Sequence, residues 1–357
     1  MATFTHERFD SLAELPDDLR RAFVQAEAAD FQGSVDWYAL LCETALTTAE
    51  RPSLHVLRRD GALSAALPLF MRESRAGHDL YALGNFYTTR FAPLLADDAD
   101  PEGLDPLFGT LRRQRPRASH IDISPLARPS RAYDLLRAAL RLAGFITFDY
   151  FCFGNWYLPV TGDADAYMAA RPGEVRSTLR RMSRRLSQAS GRIELVGPAD
   201  DVESAIAAYS VVYASSWKEP EPFPDFMPAL IRLCANKGWL RMGIVWLADK
   251  PVAVQVWVVA NGKASIFKLA YDSAHASFSP GTVLTASLMR HVIDVDRVRE
   301  VDYLTGDDAY KQAWMSHRRE MWGIVAYDPR QLRGAALAAR ELAERALKRV
   351  LRLVRTA

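Results

Sequence analysis

The sequence predicts an α+β chain of two similar halves, each a mixed sheet flanked by helices. Three observations predict it. At 357 residues the chain is too long for one ordinary core. Two hairpin-like stretches, "LHVLRRDGALSAALPLF" (Leu54–Phe70) and "GIVWLADKPVAVQVWVV" (Gly243–Val259), echo each other about 190 residues apart. The predicted order of elements is also the same in both halves: α, α, β-hairpin, α, β. A repeat at this spacing suits two domains, because solenoid repeats run roughly 20–50 residues.

Taken in order, "DDLRRAFVQAEAA" and "DWYALLCETALT" read as helices with Asp17 and Asp36 near their starts. The first hairpin turns at Asp60-Gly61. Helices follow at "GLDPLFGTLRRQ" and "SRAYDLLRAALRLAG", then a strand at "FITFDYF". The second half repeats this with "DDVESAIAAYSVVYASSW" and "DFMPALIRLCANKG", which start near Asp200 and Asp225. Its hairpin turns at Asp249-Lys250. The helix "GTVLTASLMRHVIDV" and strands at "REVDYL" and "MWGIVAY" complete it. The expected domains are residues 1–160, residues 161–330 and a basic amphipathic C-terminal helix over 331–357.

Composition narrows the class. An apolar share of 49% with 25% charged residues is that of a folded, soluble chain, and the net charge of +2 is small. Cys42, Cys152 and Cys234 form no CxxC, and the seven histidines form no HxxxH or HxH pair, so no metal site is expected. The N-terminus lacks an apolar signal region, and the most apolar stretch is broken by Asp249, Lys250 and Pro251. A cytoplasmic protein is expected, with peripheral contact at the inner membrane as a further option through its last helix.

The segment from Phe267 to Ile293 carries a strand into a helix through Ser279, Pro280, Gly281 and Thr282. A helix N-terminus offers unpaired N–H groups and a positive dipole end, which suits a phosphate. Gly281 allows close backbone approach. The plain alternative is that Ser-Pro-Gly stops the strand and starts the helix. In "EVDYLTGDDAYKQAW", alternation sets Glu300, Asp302 and Leu304 on one face. A strand-end acid is costly to bury unless paired or functional. Amide formation needs a neutral amine, so Asp302 or Asp307 is expected as base if burial raises its pKa. Tyr271 or Tyr310 would protonate a leaving thiolate, and Lys268 and Lys311 would hold a substrate carboxylate or phosphate. Against this stands an ordinary salt-bridged loop of Asp307, Asp308 and Lys311.

"EVRSTLRRMSRRLSQASGR" places Val175, Leu179, Met182 and Leu186 on one helical stripe. Arg176, Arg180, Arg181, Arg184 and Arg185 fill the opposite arc, which suits an anionic partner or a solvated face. In "SSWKEPEPFPDF", Trp217 reads as core by residue type. It would instead wall an acceptor pocket, beside Lys218, if this proline-rich loop lines one. The tail sets Ala343, Leu347, Val350 and Val354 opposite Arg345, Lys348, Arg349, Arg352 and Arg355. It reads as a last helix packed on the second domain, with an anionic membrane surface as the alternative.

"YDSAHASFSPGTVL", followed by "VDYLTGDDAYKQAW", resembles the C-terminal half of the FemAB-like, CelD-type acyltransferases, which are tandem GNAT folds. The tyrosine–aspartate strand end (Tyr271, Asp272), the Ser-Pro-Gly turn and the series Asp302, Gly306, Asp307, Tyr310, Lys311 carry the likeness. "YASSWK" and the arginine helix fit it too, and "GNFYTTRFAPLL" gives a weaker echo in the first half. The resemblance implies an N-acyltransferase with acetyl-CoA or another acyl-CoA as co-substrate. Ser279, Pro280, Gly281 and Thr282 would cradle the donor pyrophosphate. Asp302, Asp307, Tyr271 and Tyr310 would be catalytic; Lys268, Asp272, Lys311, Trp217, Lys218, Arg176 and Arg180 would bind substrate. The acceptor would be a small or nucleotide-linked amine, in envelope or polysaccharide biosynthesis by inheritance from the family. An acyl carrier protein or tRNA is a further expected partner. Because one glycine stands where the family turn has several, an aminoacyl-tRNA donor is the alternative within enzymes. A catalytically silent binding module is the alternative outside them.

Overall fold

The computed structural model describes residues 2–74 and 77–356, with the side chains of Ser74, Val350 and 352–356 left out. The chain divides into two units, residues 1–152 with 320–357, and residues 153–319. The border expected at 160/161 therefore lies at 152/153. The tail helix joins the first unit rather than standing apart or resting on the second.

In chain order the first unit begins β1 (Phe4–Phe9), α1 (Asp17–Ala29), α2 (Val35–Thr44), β2 (Glu50–Arg59), β3 (Ala62–Ser74) and β4 (Gly77–Ala82). It continues with β5 (Leu94–Leu95), α3 (Pro101–Arg113), β6 (Ala118–Arg128), α4 (Arg131–Leu142) and β7 (Ile146–Pro159), whose later half lies in the second unit. Next come α5 (Ala164–Ala169), α6 (Gly173–Gln188), β8 (Arg192–Val196), α7 (Val202–Ala214), α8 (Phe226–Asn236), β9 (Leu240–Leu247), β10 (Lys250–Ala260) and β11 (Lys263–Tyr271). The last elements are α9 (Pro280–Asp294), β12 (Glu300–Asp302), α10 (Ala309–Trp314), β13 (His317–Tyr327) and α11 (Leu332–Thr356).

The first unit orders its strands β1-β2-β3-β4-β6-β13, with β5 on β3. The pairing is antiparallel except between β4 and β6. Apolar faces of α3 and α4, including Leu107, Phe108, Leu136 and Leu140, share a core with Leu67, Leu69, Ile121 and Ile324. The later part of β13 pairs with β6, which draws residues 320–327 into this unit.

The second unit orders its strands β7-β12-β11-β10-β9-β8. The hairpin turns follow from residue choice. Asp60-Gly61, Ala248-Asp249 and Asn261-Gly262 all have two successive positive φ values, the geometry that matches strand twist in two-residue turns. The second turn thus sits one residue earlier than the sequence suggests. The core joins Leu284, Leu288, Met289 and Val292 of α9 to Val245, Trp257 and Ile266, with Leu179, Met182 and Leu186 of α6 alongside. Gly243 lets α9 sit close on β9, since a Cβ there would come within 2.6 Å of Leu284 Cδ1.

Candidate active site

Strands β11 and β12 are parallel neighbours for three residues only, ending at Ser265 and Asp302. Beyond Ser265, β11 continues to Tyr271 paired with β10, across a bulge at Phe267. The segment after β12 instead turns away at Leu304, whose φ of 54° is left-handed, a region a bulky residue rarely adopts. Asp302 and Asn155 hold that turn: the Leu304 N–H donates to Asp302 Oδ1 at 2.8 Å, and Asn155 Nδ2 donates to the Leu304 carbonyl at 2.8 Å. Gly306, at φ 115°, completes the bend and bridges to Asn155. The result is a pair of strand ends that part.

Asp302 is 2% exposed. Burial alone would push its pKa up, but the Lys263 and Arg319 charges, with hydrogen bonds from Asn155 and the Leu304 amide, hold it below the usual carboxylate range. Lys263 Nζ lies 3.1 Å from Oδ2, Arg319 pairs with the same oxygen, and Asn155 Nδ2 donates to Oδ1 at 2.6 Å. The expectation of a burial-raised base therefore reverses at Asp302. Asp307 is exposed and clamped by Arg318, whose Nε and Nη2 donate at 3.0 and 2.7 Å, while Trp156 Nε1 donates at 2.8 Å. The Arg318 hydrogen bonds lower its pKa as well. Both carboxylates are held ionised, which makes them weak bases.

Asp272 is also committed to structure. It accepts from Lys250 Nζ at 2.8 Å and the Ala274 amide at 2.9 Å, and contacts His275 Nδ1 at 3.1 Å. The Lys250 bond leads in lowering its pKa. Oδ2 is shared by Lys250 and His275, and Oδ1 takes the Ala274 amide.

Tyr310 reaches the splay from α10. It is 41% exposed, and its Oη lies 3.3 Å from Thr285 Oγ1 of α9. Thr285 also accepts from Gln255 Nε2 at 2.7 Å, and Trp257 Nε1 in turn donates to Gln255 Oε1 at 2.9 Å. Tyr303, fully buried beside Tyr310, has no hydrogen-bond partner for its hydroxyl among the described residues. Burial leads in pushing its pKa far up. The Tyr271 ring lies against Trp217, tilted by 44° with ring centroids 4.4 Å apart. Trp217 is 54% exposed, so its reading as core is overturned: the proline-rich loop holds it at the surface.

Three lysines each lie over an aromatic ring, Lys218 over Trp217, Lys311 over Tyr303 and Lys268 over Tyr213. Lys268 also pairs with Glu221 at 2.6 Å. Burial lowers the Lys218 pKa, and the charges of Lys268 and Lys311 lower it further. Lys311 donates to the carbonyls of Tyr303 and Thr305, and burial lowers its pKa too. The expected loop of Asp307, Asp308 and Lys311 is not a closed set, because Asp307 turns to Arg318 while Asp308 lies 3.8 Å from Lys311.

At the other wall, Ser279 adopts a left-handed φ of 45° and α9 begins at Pro280 with no side-chain cap. Pro280 has no N–H, and the amides of Thr282 and Val283 donate back to the Ser279 carbonyl. Of the first-turn amides that leaves the one at Gly281, where an added Cβ would meet nothing nearer than Tyr271 Cδ1 at 3.5 Å. Helix α6 packs against α9 and joins the turn through Arg185, which donates to the Ser277 carbonyl at 2.9 Å. Arg176, Arg180, Arg181 and Arg184 are exposed along it. A cavity of about 270 Å³ lined by Leu195, Asp200, Arg241 and His291 shares no residue with the splay. No group of His, Cys, Asp and Glu among the described residues could hold a metal.

Residues 173–312 match the family model described as an acetyltransferase (GNAT) domain. The second unit is a GNAT acetyltransferase domain. No curated protein matches the chain. Among solved structures, FemX superposes with a TM-score of 0.62 at 12% identity, covering 89% of this chain and 96% of that one. The tandem GNAT protein from the clavulanic acid biosynthesis pathway gives 0.56 at 13% identity, with 91% and 99% covered. The C-terminal domain of a putative lysylphosphatidylglycerol synthetase from Agrobacterium fabrum gives 0.52 at 14%, with 93% and 97% covered. At these identities the likeness is one of fold, and that fold is the tandem GNAT arrangement. The chain is a GNAT-type N-acyltransferase, and its GNAT domain contains the β11–β12 splay, the α9 turn and Tyr310.

Sequence reasoning missed Asn155, Trp156, Lys263, Gln255, Thr285, Arg318 and Arg319, which hold the site from strands and a helix remote in sequence. The run "HRRE" was the available signal for the last two, as a basic pair following a stretch with three acids.

Proposed function

We propose that the GNAT domain passes an acyl group from an activated, anionic donor directly to an amine where β11 and β12 part. The observation that supports this reading most is the splay itself, together with the Tyr310 hydroxyl held against Thr285 of α9. The amine arrives uncharged and bonds to the acyl carbon. The carbon–sulfur bond then breaks, the sulfur takes the Tyr310 Oη proton, the new amide loses its extra proton to water, and the phenolate regains a proton from water. Asp302 and Asp307 act as positioning groups. Lys218, Lys268 and Lys311 hold a carboxylate or phosphate of the acceptor, a small or nucleotide-linked amine.

Direct transfer is preferred to a cysteine intermediate. Burial pushes the Cys42 and Cys152 thiols up to about 12 and Cys234 higher still, so no thiolate nucleophile stands ready. The test is thiol release from acetyl-CoA across a panel of amines. Release that depends on the amine supports the reading, and release that ignores the amine counts against it.

A second reading has its own support. The turn offers a sparse set of amides to a pyrophosphate, and four arginines of α6 stand exposed, which suits an aminoacyl-tRNA donor. On that reading, tRNA affinity falls by roughly three decades per tenfold rise in salt, as expected for about four phosphate contacts. Arg176→Glu with Arg180→Glu flattens that slope. A filter-binding series in which no tRNA is retained at low salt removes this reading.

A further inference from the structure

Helix α11 is amphipathic, yet it rests on the first unit by the wrong face. Gly334 and Ala338 are buried, Glu341 is half-buried, and Arg345 donates to the Asp149 carbonyl at 2.9 Å with its guanidinium over the Phe148 ring. These positions recur at i, i+4, i+7 and i+11, so they form one stripe. Around them lie Phe148, Val325 and Tyr327. The opposite stripe is the apolar one, and it faces solvent. Leu332 is 93% exposed, Leu342 54%, Leu347 59% and Leu351 51%, with Ala336, Ala339, Ala343 and Ala346 exposed between them. From Leu342 to Arg349 every residue is exposed, and of these Arg345 reaches back to Asp149 and Phe148. The reading of a tail packed through its apolar side is thereby overturned. The side chains of Val350, Arg352, Val354 and Arg355 lie outside the described residues.

Charge selects the occupant of this stripe. Leu332–Thr356 carries seven basic and two acidic residues, a net +5 in a chain whose total is +2, and no acid follows Glu344. Lys348 and Arg349 are exposed and make no ion pair among the described residues. A second copy of the same helix laid on this face would bring two such charges together. An anionic bilayer surface meets both features, burying leucines at the acyl boundary and pairing basic flanks with phosphates. No described helix is long and apolar enough to cross a membrane, so the contact is a surface one.

We propose that α11 docks the protein on anionic phospholipid membranes through Leu332, Leu342, Leu347 and Leu351, with Lys348 and Arg349 on the headgroups. This does not rest on the acyl-transfer reading. The test is co-sedimentation of the full chain with phosphatidylcholine vesicles, with and without phosphatidylglycerol, alongside sedimentation velocity without lipid. Expected are binding only to the phosphatidylglycerol vesicles, and a loss of roughly tenfold or more in partitioning for Leu342→Glu with Leu347→Glu. Lys348→Glu with Arg349→Glu should lose a similar factor. All four positions are exposed, and unchanged circular dichroism shows that the variants fold. No binding to anionic vesicles, binding that ignores both double variants, or a lipid-free dimer abolished by the leucine changes would overturn the proposal; the last outcome would assign the stripe to a second copy.

Discussion

Asp302→Ala is expected to lower unfolding free energy by about 2–3 kcal/mol, the low end for breaking a buried pair. The reason is local. The change strands Lys263 and Arg319 without their shared carboxylate and leaves the Leu304 amide and Asn155 Nδ2 without an acceptor. Both cations keep some contact with water, at 22% and 31% side-chain exposure, which moderates the loss. Asp302→Asn keeps an oxygen for the Leu304 amide and should lose less. Urea unfolding followed by tryptophan fluorescence measures both. Stability unchanged in the alanine variant would mean that the carboxylate does not hold the turn.

The pH dependence has a definite sign. The folded pKa of Asp302 lies below its unfolded value, so its stabilisation is complete above roughly pH 4 and fades as pH falls through the folded pKa. Wild type and the alanine variant should therefore converge at the acid end and stay apart at neutral pH. A gap that widened on acidification would reverse the assignment.

Tyr310→Phe is expected to cut turnover roughly a hundredfold, the usual range for removing a positioned acid. The phenyl ring keeps its contacts with Tyr303 and Trp314 at 6.1 and 6.3 Å, so folding should not change. Thr285→Val should cost less, because it removes only the group that orients the phenol. Initial rates of thiol release, with binding measured separately, distinguish lost chemistry from lost affinity. Full turnover in Tyr310→Phe would exclude Tyr310 as the acid.

Much of this was legible in the sequence. The hairpins were readable because strand alternation and turn residues are local, and α1 came out over the predicted Asp17–Ala29. Helix α9 was legible for the same reason, from Pro280 at its first turn and its apolar spacing. What stayed hidden depends on contacts remote in sequence. Strand alternation gives the face on which Asp302 lies, but the sign of its pKa shift is set by Lys263, Arg319 and Asn155, which arrive from three other strands. Trp217 was misread because residue type predicts burial on average, while a proline-rich loop can hold an indole at the surface. The tail helix was misplaced because its wheel identifies the apolar face without saying which face the fold covers.

Hydrogen exchange with a donor bound, acetyl-CoA in one series and aminoacyl-tRNA in the other, reports where on the chain transfer takes place. Whichever donor supports transfer should slow exchange at the α9 start, 279–285, at the free end of β11, 266–271, and across 303–311. Protection confined to the first unit while transfer proceeds would contradict it, because the reaction would then lie away from the parted strands.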